Sequence, residues 1–187
     1  MRSQYYGALL ARVTRYVKID TQSDPECPDY PNTYPSTQKQ LDLLNLLKRE
    51  CEAMGLHDVE CDCHGYVTAT LPSNVDREVK TVGFIAHVDT SPEVSGANVK
   101  SIVHKNYQGN DIVLPDRNDV VIKFDDNPEL AEQIGNDIIT ASGTTLLGAD
   151  NKSGVAAIMT AMSYLVDHPE IPHGDIRIGF TPDEEIG

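Results

Sequence analysis

Basic residues are scarce in this chain: 15 Lys and Arg stand against 29 Asp and Glu, for a net charge of -14. Affinity for nucleic acid rests largely on Lys and Arg neutralising phosphates, and those present form no dense cluster, so no nucleic acid and no anionic membrane is expected as a partner. Long apolar runs are also missing. No stretch is long enough to span a bilayer, and residues 1–18, with Arg2, Arg12 and Arg15 spread through them, lack the continuous apolar core of a signal peptide. The expected compartment is the cytoplasm. Paired CxxC spacing is absent: Cys27, Cys51, Cys61 and Cys63 do not form a zinc module, and in a reducing compartment they are expected to be free thiols. Cys61 and Cys63 are two apart with Val59 in register, which predicts two small buried groups on one strand face rather than metal ligands beside His64. Internal repeats and low-complexity tracts are missing too.

What remains is enough for one domain with a real core, since 187 residues carry an ordinary apolar fraction of 40%. Residues 3–18 hold Leu9, Leu10, Val13 and Val17 at helical spacing, followed by a proline-rich loop at 20–35 containing Pro25, Pro28, Pro31 and Pro35. Thr37 and Gln40 have the spacing of a capping box. A helix follows, with Leu41, Leu44, Leu47, Cys51 and Met54 on one face and Gly55 as its stop. Residues 59–63 and 66–71 flank His64-Gly65 as a hairpin, and 81–86 form an apolar run of the kind buried on both faces of a sheet. Residues 91–140 break into short β-like pieces, read as an irregular β insertion within the domain. Residues 152–166 carry Val155, Ile158, Met159, Met162, Leu165 and Val166 in the pattern of an amphipathic helix, and 175–180 form the last strand.

Three strings carry chemistry: His87-Val88-Asp89 after one apolar run, Asp150 in Gly148-Ala149-Asp150-Asn151-Lys152, and Asp183-Glu184-Glu185 after another apolar run. Each is placed at a strand end, where ligand-binding residues converge in α/β sheets. Taken singly, each has a plain structural reading. His87 can cap a strand, Asp150 can cap a helix, and acids in a first helical turn are favoured by the macrodipole. Together they supply the imidazole and carboxylate set that zinc accepts, and Asp89 is the kind of carboxylate that orients a metal-binding His. Adjacent glutamates allow one to bind metal while its neighbour handles a proton. The remaining histidines, His57, His64, His104, His168 and His173, are expected in loops or turns.

Residues 83–90, 143–152 and 180–187 resemble the metal motifs of the M20 family of metallopeptidases, most closely its tripeptide aminopeptidases, and Pro35-Ser36-Thr37 and residues 95–99 add similar context. The resemblance runs from about Tyr6 onward. It implies a three-layer α/β/α catalytic domain with a mixed, twisted sheet and helices on both faces, of which residues 1–187 form the N-terminal part. It implies two zinc ions, with His87 on one, Asp150 bridging both and Glu185 on the second. Asp89 would orient His87, and Glu184 would be the general base that takes a proton from a metal-bridging water and later returns it to the departing amine. Small peptides, tripeptides in particular, are the implied substrates, and a cis peptide bond is implied between Asp150 and Asn151, where many relatives carry a second Asp. Family members supply a further carboxylate ligand after the paired glutamates, a last His far downstream, and a lid domain between them. None of these lies within the 187 residues, so this polypeptide is expected to be inactive alone. A dipeptidase or deacylase of the same family, or a noncatalytic module whose carboxylates only bind a cation, are the alternatives.

Overall fold

The computed structural model describes residues 5–28 and 32–187. Its elements run α1 (Tyr6–Tyr16), α2 (Gln40–Ala53), β1 (His57–Cys61), β2 (Val67–Leu71), β3 (Val82–His87), β4 (Ile102–His104), β5 (Ile112–Leu114), β6 (Arg117–Ile122), β7 (Ile138–Thr140), α3 (Ala149–Asp167) and β8 (Ile176–Thr181), with 3-10 turns at Pro128–Gln133 and Glu184–Ile186. Ser3 of the expected first helix and Pro31 of the proline-rich loop lie outside the described residues.

The frame is a mixed sheet in the order β1-β2-β8-β3, with β3 parallel to β8 and the other pairings antiparallel. Alternation sets its two faces. Val67, Ala69 and Leu71 of β2 and Ile176, Ile178 and Phe180 of β8 are buried, whereas Arg177 is exposed and reaches Thr68 and Thr70 across the opposite face. The three α-helices pack together over the buried face. Tyr16 of α1 donates to Glu50 of α2, Arg12 reaches Thr160 of α3, and Cys51 of α2 lies 3.9 Å from Met159 of α3. The mixed α/β class is as expected. Within these residues, however, the helices cover one face of the sheet, and the face bearing Arg177 and Ile85 is open.

Helix α2 buries Leu43, Leu44, Leu47 and Cys51, as its leucine spacing requires, and ends where Gly55 takes φ +74°. Each fully buried leucine contributes about 1.5–3 kcal/mol of apolar burial. The expected capping box does not form. Thr37 donates its hydroxyl to the Gln22 carbonyl, and Gln40 is drawn into bonds with Asp183, so both side chains answer partners outside the helix.

Strand β3 corrects a second expectation. The run at 81–86 is not buried on both faces: Val82, Gly83, Phe84 and Ile85 are exposed, Ile85 by 74%, and only Ala86 and His87 are covered. Among the described residues β3 pairs with β8 alone, and an apolar run is buried on both sides only when neighbours and helices close over it. The hairpin between β1 and β2 forms with Gly65 at φ +88°. Its strand ends at Cys61, and Asp62 accepts the amides of His64 and Tyr66, which places Cys63 in the turn. Cys61 is therefore half-buried and Cys63 exposed, against the expectation of two buried thiols, although all four cysteines are free. His57 and His104 stand on strands rather than in loops.

Residues 91–140 build two small antiparallel pairs, β4 with β7 and β5 with β6. Tyr107, Ile112 and Leu114 form a separate small core there.

Candidate functional site

Because β3 and β8 are parallel neighbours with His87 opposite Thr181, their carboxyl ends release two loops side by side. Val88 donates its amide to the Thr181 carbonyl at 2.9 Å, and Thr21 donates its hydroxyl to the Val88 carbonyl at 2.7 Å, fixing the segment that leads into Asp89. Beyond β8 the chain reverses at Asp183, whose φ of +57° is left-handed. That reversal aims two successive amides at one carboxylate. Glu184 N–H meets Asp89 Oδ1 at 3.0 Å and Glu185 N–H meets Asp89 Oδ2 at 3.1 Å. Asp89 is fully buried, and its Oδ1 also lies 3.2 Å from Nδ1 of His87.

Asp150 reaches the same place by a different route. It lies not at a strand end but at the start of α3, after Gly148 at φ +74°, and its peptide bond to Asn151 is cis, as the resemblance implied. It does not cap the helix. Asp150 Oδ1 lies 3.1 Å from His87 Nε2, and Glu184 Oε2 lies 3.6 Å from the same nitrogen. The structure thus gathers His87, Asp89, Asp150 and Glu184 around one imidazole, with Glu185 alongside through its backbone.

An Asp89 carboxylate can only accept, so Nδ1 carries a proton and Nε2 is left facing two further carboxylate oxygens. Acceptor facing acceptors calls for a cation between them. In the metal-free protein that cation is a proton. Burial opposes charge on His87, but the hydrogen bond and charge of Asp89, the hydrogen bond to Asp150 and the charge of Glu184 outweigh it and lift the imidazole to about 9. Burial likewise pushes Asp89 up, and the donors His87, Glu185 and Glu184 bring it below its ordinary value. Glu185 is raised by burial, against His87 and with the added charges of Asp89, Asp150 and Glu184. The donor set therefore suits a divalent cation at Nε2, although among the described residues no three of His, Cys, Asp or Glu already stand as a metal-holding group.

Two participants escape the sequence patterns. Lys152 is 1% exposed and donates to the Ile19 carbonyl at 2.7 Å. Burial pulls its ammonium down to about 8, with Asp20 and Asp89 resisting and Lys39 adding to the pull. Asp183 is buried at the hinge of the acidic loop, although the sequence groups it with two exposed neighbours. A lysine two places past Asp150 and a third acid ahead of the glutamates were the available signals.

No protein-family model matches the chain. It is 55% identical over 179 residues to peptidase T of Geobacillus thermodenitrificans (strain NG80-2) and 52% identical over 179 residues to peptidase T of Bacillus velezensis, in both cases across 96% of this chain. The chain is a relative of peptidase T. It spans 43% of the length of these peptidase T relatives. In structure it is similar to an aminopeptidase PepT from Bacillus cereus ATCC 10987, with a TM-score of 0.63 at 23% identity, covering 97% of this chain and 37% of that one. A tripeptidase from Staphylococcus aureus gives a TM-score of 0.60 at 25% identity over the same shares. These likenesses carry the fold class, a mixed α/β domain with a mixed sheet. No helix among the described residues is long and apolar enough to cross a membrane.

Proposed function

We propose that this chain carries part of the active site of a zinc-dependent aminopeptidase that releases the N-terminal residue from tripeptides. The observation that carries the reading is the convergence on His87: Asp89 behind Nδ1, and Asp150 and Glu184 in front of Nε2. Similarity to peptidase T supplies the substrate class.

His87, Asp150 and Glu185 would hold the metal, two zinc ions per complete site. Bound there, zinc would supply a Lewis acid and acidify a water toward neutral pH. Asp89 keeps the imidazole proton on Nδ1, so the Nε2 lone pair points into the site. Glu184 takes a proton from the attacking water as it adds to the peptide carbonyl, and gives it to the amine that leaves when the C–N bond breaks. The surrounding acids suit the substrate's N-terminal ammonium, and the four free thiols suit a cytoplasmic setting.

In the longest form the coding sequence provides, Glu184→Gln is expected to abolish tripeptide hydrolysis while leaving zinc content near that of the parent, because the amide keeps the shape but cannot accept a proton. Glu185→Gln is expected to lose zinc as well. Equal metal loss in both variants, measured by elemental analysis, overturns this division of roles.

The 187-residue polypeptide by itself is proposed to be inactive. The Asp150 and Glu184 side chains are 86% and 61% exposed, so neither has the water-excluded setting that catalysis needs. Zinc-saturated polypeptide that released N-terminal residues at a rate comparable with a full-length relative would refute this.

A further inference from the structure

Asp183 spends its carboxylate inside the protein. Oδ2 accepts the Ser36 amide at 2.6 Å, and Oδ1 accepts the Ser36 hydroxyl at 2.6 Å and Gln40 Nε2 at 2.7 Å. Its own amide donates back to Gln40 Oε1 at 3.1 Å. Gln40 is fully buried, and Ser36 and Asp183 are nearly so. None of these bonds runs to His87, Asp150 or Glu185, so the carboxylate is not spent on the metal-ligand set. Glu184 follows immediately, on a three-residue turn with no buried residue of its own. Two anchors therefore hold that turn: Asp89, which takes its amides, and Asp183, which ties its start to the loop ahead of α2.

The conformation of Asp183 makes the second anchor consequential. A left-handed residue other than glycine is uncommon, and it persists where surrounding bonds over-determine it. Three donors on one carboxylate and a return bond from the amide are such a set. Were they released, residue 183 could relax, and the Glu184 side chain would swing with the backbone that carries it.

We propose that Asp183, clamped by Ser36 and Gln40, is the positioning residue that holds Glu184 where it transfers the proton. The proposal rests on Glu184 being the base, as proposed above. It predicts a loss in kcat larger than any change in KM, because none of the clamp's bonds runs to His87, Asp150 or Glu185.

Asp183→Asn tests it cleanly, since asparagine tolerates the left-handed conformation and only the acceptors change. One amide hydrogen pair then faces donors from Ser36 or Gln40. In the longest form of the protein, this variant should lower kcat about 10- to 100-fold, the scale of an ångström-sized misplacement, with KM within about twofold and zinc content unchanged. Adding Gln40→Glu restores a donor–acceptor match across the same contact and should recover kcat to within about threefold of the parent. Wild-type kcat in Asp183→Asn, a change confined to KM, or a double variant no better than the single one overturns the proposal. If Asp183→Asn does not fold, Ser36→Ala decides, because it removes the hydroxyl that donates to Asp183 Oδ1, with the bonds that hydroxyl accepts from the Asp24 amide and Gln40 Nε2, and keeps the Ser36 amide on Asp183: a severalfold loss of kcat at constant KM supports the clamp, and an unchanged kcat overturns it. Glu184→Gln run beside these separates the two ideas. If it retains activity, the base assignment itself has failed; if it is dead while Asp183→Asn is fully active, the positioning role alone has failed.

Discussion

Asp89→Asn should do more damage than its size suggests. Three donors converge on this fully buried carboxylate: the amides of Glu184 and Glu185 and Nδ1 of His87. An asparagine offers one oxygen, and its NH2 group must face at least one of the three. A buried donor left unsatisfied costs about 1–3 kcal/mol, and each bond that survives loses charge assistance worth about 1 kcal/mol. His87 can recover part of this by giving up its Nδ1 proton, keeping the one on Nε2 and accepting from the asparagine, which leaves a loss of about 3 kcal/mol, large against a typical 5–15 kcal/mol of total stability. That escape also turns the Nε2 lone pair into a donor, so zinc affinity should fall about 10- to 100-fold.

The pH dependence has a definite sign. His87 is lifted in the fold from 6.5 to about 9, so its stabilising contribution is complete below about pH 6.5 and is lost as pH rises through 9. Asp89 is lowered, so its contribution is present above its ordinary value of 3.8 and is lost as pH falls through its folded value. In metal-free protein, the stability gap between wild type and Asp89→Asn should thus be widest between about pH 4.5 and 6.5 and narrow toward pH 9.5. Urea unfolding at pH 6 and pH 9.5 measures it. A gap below about 1 kcal/mol at pH 6, or one that widens with rising pH, would refute the account of this carboxylate.

Burial separates two apolar residues that look alike in sequence. Phe180→Ala removes a fully buried ring between Val67 and Ala86 and should cost about 3–5 kcal/mol, whereas Ile85→Lys, at a position 74% exposed on the open face, should change stability by less than about 0.5 kcal/mol in this polypeptide. Urea midpoints of the two variants check the contrast, and a larger cost for Ile85→Lys would mean that this face is covered. Gly148→Ala should destabilise by about 1–2 kcal/mol or more, because φ there is +74° and an added Cβ would lie 3.0 Å from Thr90 Cγ2. A thermal scan showing no loss would show that the turn into α3 relaxes without cost.

Several features of this molecule are properties of neighbouring residues and can be read without coordinates. The leucine spacing of α2 and its stop at Gly55, the Gly65 hairpin, the helix ahead of Val166 and the last strand all depend on contacts a few positions apart. Two pieces of the site were legible for a similar reason, since His87 and Asp89 are two apart and Glu184 and Glu185 are adjacent, whereas bringing the two pairs and Asp150 together needs the fold. Asp150 reads as lying beside a helix start, as the fold has it, but also at a strand end, whereas the strand before it ends at Thr140.

The rest depended on partners far away in the chain. Thr37 and Gln40 have capping-box spacing, yet Gln40 bonds Asp183 across 143 positions, and that longer partnership wins. Asp183 looked like one acid of three until the left-handed turn put its carboxylate on Ser36, 147 positions away, and left its neighbours at the surface. The run at 81–86 has the composition of a doubly covered strand, but what covers a strand is decided by which elements pack beside it, and β3 stands at an edge. The sequence by itself determined the local elements and the kinds of groups that meet in the site, because periodicity, turn chemistry and side-chain donors are carried residue by residue. Only the tertiary structure decided which groups hold the others in place, because a hydrogen-bond acceptor has no preference for one donor until the fold brings that donor within reach.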